Sequence, residues 1–143
     1  MIANFLKLIF YISLLLLIVI TLYPGSLLGL LLYGDLGFQP NLAKNPYYTP
    51  MPTHLYTYAS IINHFIAYFY ISMFGLCLYL RSYNFKKIVY GLFFLSFFLE
   101  VLQFIIPRRT FEIVDVSANF VGVLVAYCLI KIYKFWKNYN YNW

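Results

Sequence analysis

Four apolar runs decide what this chain can fold into. The first, FLKLIFYISLLLLIVITLY from Phe5 to Tyr23, is long enough to cross a hydrocarbon core of roughly 30 Å as a helix. Pro24 and Gly25 end it. Further runs at about 60–80, 88–106 and 113–133 have similar length, and Pro107 stops the third. Inside a bilayer a backbone must satisfy its own hydrogen bonds, so runs of this length become helices. The expected fold is an all-α integral membrane protein, a single transmembrane domain of four helices over residues 1–143. A long outer loop separates the first helix from the second.

The composition agrees. Of the 143 residues, 64% are hydrophobic and 10% charged. That is too little charge to coat a soluble globule, which needs roughly 25%. The net charge of +6 does not imply nucleic acid, because the basic residues are scattered between apolar runs. They mark orientation instead. Lys7, Arg81, Lys86, Lys87, Lys131, Lys134 and Lys137 share one side of a four-span topology. Lys44, Arg108 and Arg109 share the other. The seven-to-three split predicts both termini in the cytoplasm of a multi-pass protein. Cys77 and Cys128 lie in apolar runs and read as helix packing, not as a disulfide framework. No motif implies a metal or cofactor.

Between the first two spans, SLLGLLLYG is too short to cross, and the segment after it is rich in Gly and Pro. The expectation there is an irregular loop over 24–59. The tail KIYKFWKNYNYNW interleaves lysines with aromatic residues and is expected to anchor at the interface.

Chemistry concentrates in EVLQFIIPRRTFEIVDVSANFVG, residues 100–122. Three of the four acids of the chain, Glu100, Glu112 and Asp115, lie there beside Arg108 and Arg109. Glu100 and Gln103 share one helix face, as do Asp115, Asn119 and Gly122. In the second span Ser60, His64, Tyr68 and Ser72 form another row. An ionisable group within a span is costly and faces the bundle interior. Three stripes near one membrane surface therefore predict one polar pocket opening outward. Its candidate ligand-binding residues are His64, Tyr68, Glu100, Gln103, Arg108, Arg109, Asp115 and Asn119. An arginine is expected to fold over the helix end toward Glu100. The two guanidinium groups suit a phosphate or carboxylate. The same stripes would also arise if the polar groups only glued the helices together.

These residues resemble the VanZ-like membrane protein family. One piece is HFIAYFYISMFG, with His64, Phe65 and Tyr68. The other is EVLQ, then PRR, then D-x-x-x-N-x-x-G, with Glu100, Gln103, Pro107, Arg109, Asp115, Asn119 and Gly122. The likeness covers about residues 60–127. Ser60 stands where the family often has an acid, and Ala126 where it often has a second Gly. The resemblance implies a small bacterial inner-membrane protein with a role in the cell envelope. Its named member is associated with low-level resistance to the glycopeptide teicoplanin. No molecular activity is implied. The leading expectation is a protein that binds membrane lipids, specifically an anionic headgroup or a lipid-linked cell-wall precursor. The alternatives are an enzyme acting on a lipid-linked phosphate, with His64, Glu100 or Asp115 as acid and base, and a structural subunit among other membrane proteins.

Overall fold

A computed structural model describes residues 2–22, 53–103, 105–106 and 112–140, with side chains described at 2–22, 61–103, 105–106 and 112–137. The expected loop at 24–59 lies largely outside them, as do Lys44, Arg108, Arg109 and the Ser60 side chain. The described residues form four helices: α1 (Ile2–Leu22), α2 (Thr53–Leu78), α3 (Phe85–Gln103) and α4 (Ile113–Asn140). Three contain stretches long and apolar enough to cross a membrane: Ile2–Leu22, Ile61–Leu78 and Ile113–Lys137. α3 carries Lys86 and Lys87 at its start and Glu100 near its end, and is not among these three.

Two boundaries depart from the sequence reading. α2 starts seven residues early, at Thr53. Its first turns, THLYTYAS, hold tyrosines suited to a headgroup layer, but none of these residues breaks a helix. α4 runs on through KIYKFWKNYN to Asn140. At 1.5 Å per residue it is about 42 Å long, well beyond a hydrocarbon core of roughly 30 Å. The expected anchoring tail is thus largely the last turns of α4.

The connections follow from local hydrogen bonds. Between α2 and α3 the Ser82 hydroxyl accepts the Asn84 N–H at 3.1 Å, and the Asn84 carbonyl accepts from Ile88 at 3.0 Å. These caps begin α3. After Gln103 two turn bonds, Ile105 N–H to Leu102 and Ile106 N–H to Gln103, tighten the chain just before Pro107, which has no N–H to continue a helix. At the start of α4 the Glu112 carbonyl accepts from Asp115 and Val116. Asp115 sits in that first turn, where the helix dipole favours a negative charge.

α2 and α4 form the most extensive helix pair. They run parallel: His64 meets Asn119, and one turn on Phe65 and Phe69 meet Gly122. A Cβ on Gly122 would lie 2.7 Å from the Phe65 carbonyl oxygen and 2.9 Å from the Phe69 nitrogen. The absence of a side chain at Gly122 is what lets the two backbones touch. α1 docks more lightly. Phe10 lies against Gly75, whose Cβ would come within 2.7 Å of the ring, and stacks edge-on to Phe74 and Tyr79. Val123, Ala126 and Ile130 of α4 close the core against Ile71, Leu76 and Leu92.

The two ends of the bundle differ in sign. Lys7 lies over the Tyr79 ring, Lys87 over Tyr83, Lys131 over Tyr127, and Lys134 only 3.6 Å from the Phe85 centroid. With Arg81 in the α2–α3 turn and Lys137 in the last turn of α4, the described basic residues all gather at one end. The described acids Glu100, Glu112 and Asp115 lie toward the other.

Candidate functional site

The acidic end is built from the three polar stripes. The His64 ring points into the bundle, with Nδ1 2.9 Å from Asn119 Oδ1. Nε2 stands 3.5 Å from Asp115 Oδ2. The Asn119 amide nitrogen donates to Glu100 Oε2 at 3.4 Å, and the Gln103 amide nitrogen donates to the same oxygen at 3.2 Å. The result is one chain of contacts, Asp115 to His64 to Asn119 to Glu100 to Gln103, across α2, α3 and α4.

The roles of the atoms follow from this chain. Asn119 must donate its N–H to the carboxylate, so its carbonyl oxygen faces His64 and accepts the Nδ1 proton. Nε2 then faces a carboxylate oxygen of Asp115. Both ring nitrogens of His64 are engaged. A general base of the serine-hydrolase kind keeps one ring nitrogen for the reacting group, and in this arrangement none is left over.

Apart from His64, whose side chain is 24% exposed, burial is nearly complete. Glu100 and Asn119 are 0% exposed, Gln103 4% and Asp115 7%. Polar groups so enclosed hold their position only if hydrogen-bonded. The Glu112 backbone N–H also approaches the Glu100 carboxylate, which brings the end of the α3–α4 connection over it. Arg108 and Arg109, expected to reach Glu100, lie in that connection but outside the described residues. Tyr68 is buried on the row of His64, with its hydroxyl lacking a hydrogen-bond partner.

The polar pocket expected to open outward includes Arg108 and Arg109, which lie outside the described residues. The polar groups of the described residues pack against each other. Beside them, between α2 and α4, runs an open groove of about 330 Å³ lined by Ile61, Ile62, Phe65, Val114, Ala118 and Val121, with Ser117. It is apolar, since the Ser117 hydroxyl turns back to the Ile113 carbonyl at 2.9 Å.

The VanZ/LLP1 family model matches residues 8–134. The chain belongs to the VanZ/LLP1 family. That span takes in α1 from residue 8 onward and the whole connection to α2, beyond the 60–127 carried by the motifs. No match emerges among curated proteins or among solved structures. In this VanZ/LLP1 chain the motif residues His64, Glu100, Gln103, Asp115 and Asn119 are the network itself, and Gly122 is the contact that seats α4 on α2. Thr21 and Ser96, both buried, were not singled out by the sequence. Ser96 precedes Glu100 by one turn, and that spacing was the available signal.

His64→Ala removes the link between α2 and the Asn119 amide and leaves that carbonyl without its donor. The expected result is a loss of about 1–3 kcal/mol, read as a lower midpoint of thermal unfolding in detergent.

Proposed function

We propose that this VanZ/LLP1 protein is a cell-envelope protein of the bacterial inner membrane that binds an anionic lipid headgroup or a lipid-linked cell-wall intermediate. The ligand sits at the acidic end of the bundle, beside Arg108 and Arg109. Both termini are cytoplasmic, so that this end faces outward. The observation that supports the reading is the network from Asp115 to Gln103, which ties α2 to the end of α3 and the start of α4, the two points between which the chain carries both arginines. A rigid floor gives those guanidinium groups a fixed base from which to grip phosphate oxygens in pairs. Engagement of both His64 nitrogens favours binding over catalysis.

Mass spectrometry of the protein purified in native membrane patches tests the binding. One anionic species should be enriched over the surrounding lipid and lost in the Arg108→Ala/Arg109→Ala double variant. Lipid identical to the bulk membrane in both samples overturns the proposal. A cysteine at Thr110 should react with an impermeant reagent in spheroplasts with the inner membrane intact. Labelling only after that membrane is opened reverses the orientation.

A further inference from the structure

The apolar groove beside the network has dimensions that select its contents. Its walls are Ile61, Ile62 and Phe65 of α2 and Val114, Ala118 and Val121 of α4. Both walls belong to stretches of membrane-crossing length, Ile61–Leu78 and Ile113–Lys137. Ile62, Val114 and Val121 stand exposed on the rim, while Ala118, 6% exposed, forms the floor. On α4 the lining residues Val114, Ala118 and Val121 each precede a motif residue, Asp115, Asn119 and Gly122. The groove therefore adjoins the network along its length. At Gly122 the two backbones touch, which ends the groove. In the other direction it leads to Val114, at the end of the bundle where the chain carries Arg108 and Arg109.

Size decides between occupants. From Val114 to Val121 the groove runs about 10 Å, at roughly 1.5 Å per residue. That lies within one leaflet, about 15 Å of hydrocarbon. A partner helix about 10 Å across would need roughly 800 Å³ over that length, against the 330 Å³ present. An apolar cavity of about 150 Å³ takes one benzene ring, so the groove suits roughly a dozen carbon atoms of a chain. Water gains little there. The one hydroxyl on the lining, Ser117, donates to the Ile113 carbonyl, and an ordered water needs two or more polar partners. Left empty, the walls forfeit their dispersion contacts. A long polyprenyl chain would need a groove that runs on past Gly122.

We infer that the groove holds one acyl chain of a glycerophospholipid whose headgroup lies at the connection between α3 and α4. The headgroup part rests on the function proposed above, and the chain part rests on the groove alone. In a bilayer the chain in the groove competes with neighbouring lipid tails, which meet surroundings as apolar as its walls. An anchored headgroup makes the entry of its own chain an intramolecular step and raises that chain's effective concentration. This distinguishes the bound lipid from those that only surround the protein.

Photocrosslinking of the full-length protein in phosphatidylcholine vesicles is the test. The probe, a minor share of the lipid, is phosphatidylglycerol with a diazirine midway along one acyl chain. Peptide mass spectrometry locates the adducts. Phe97 and Phe98, exposed on α3 within one turn of Glu100, lie outside the groove and report the surrounding lipid. Labelling of Ile62 and Phe65 should exceed theirs by about fivefold or more. Ala118→Leu fills the floor, and should lower the α2 labelling to the level of α3 while leaving α3 unchanged. Circular dichroism and size exclusion establish that each variant is folded. Equal labelling of the groove and of α3 in the unmodified protein overturns the inference, and so does undiminished groove labelling in folded Ala118→Leu. Should Ala118→Leu fail to fold, Val121→Phe, which fills the groove from its exposed rim, is read in the same way. The same chain on phosphatidylcholine separates the two parts. Selective groove labelling by both probes alike supports the chain site and overturns the anionic headgroup.

Discussion

Gly122→Ala should cost the bundle about 3 kcal/mol, at the top of the usual range for overpacking, and reduce the amount of folded protein in the membrane. The added methyl would stand 2.7 Å from one backbone atom of α2 and 2.9 Å from another. Backbone cannot rotate aside as a side-chain tip can, so α4 must move away from α2. That motion also pulls Asp115 and Asn119 from His64, and the loss of the network adds to the loss of packing. Gly91→Ala is the matching control. No atom lies within 4 Å of the Cβ it would carry, and alanine favours a helix over glycine by roughly 1 kcal/mol. Its thermal midpoint should stay level or rise. Equal midpoints for the two variants would show that the α2–α4 contact does not hold the fold.

The second large effect is expected at Glu100, where two substitutions should separate. Glu100→Ala leaves the Asn119 and Gln103 amides without an acceptor in a buried site. At about 1–3 kcal/mol for each of the two unpaired donors, the protein should lose about 2–6 kcal/mol. Glu100→Gln keeps the shape. Its side-chain carbonyl oxygen can accept both amides. We expect Glu100→Gln to unfold within about 1 kcal/mol of the unmodified protein, as volume-conserving changes do. Thermal unfolding in one detergent checks both. If the two variants lose the same stability, the carboxylate charge, and not its shape, holds the network.

Much of this architecture was legible in the residues. Apolar runs of membrane-crossing length gave the helices, and the spacing of His64, Glu100, Asp115 and Asn119 gave their meeting point. What periodicity could not give is which helices touch. A hairpin rule pairs each helix with its neighbour in sequence, yet α2 and α4 share the largest contact, and only the small residue at Gly122 hinted at it. The ends of α2 and α4 were misjudged because Tyr, Thr and Lys suit an interface in any backbone conformation. The polar stripes were read as lining an opening. Periodicity could not show that, among the described residues, one amide, Asn119, would join a ring nitrogen to a carboxylate. Thr21 and Ser96 escaped notice, since a hydroxyl in an apolar helix usually bonds its own backbone.

The parallel seating of α2 and α4 has a consequence for biogenesis. His64 and Asn119 are 55 residues apart in the chain, with all of α3 between them. During synthesis α2 and α3 enter the membrane while the partner of His64 and one donor to Glu100 are still in the ribosome. The half-made protein therefore presents an unsatisfied histidine and an underbonded carboxylate to the lipid until α4 arrives. A chain cut short before residue 113 keeps them permanently. Those two groups would mark the incomplete product for the proteases that survey the membrane, and the insertion of α4 removes the mark.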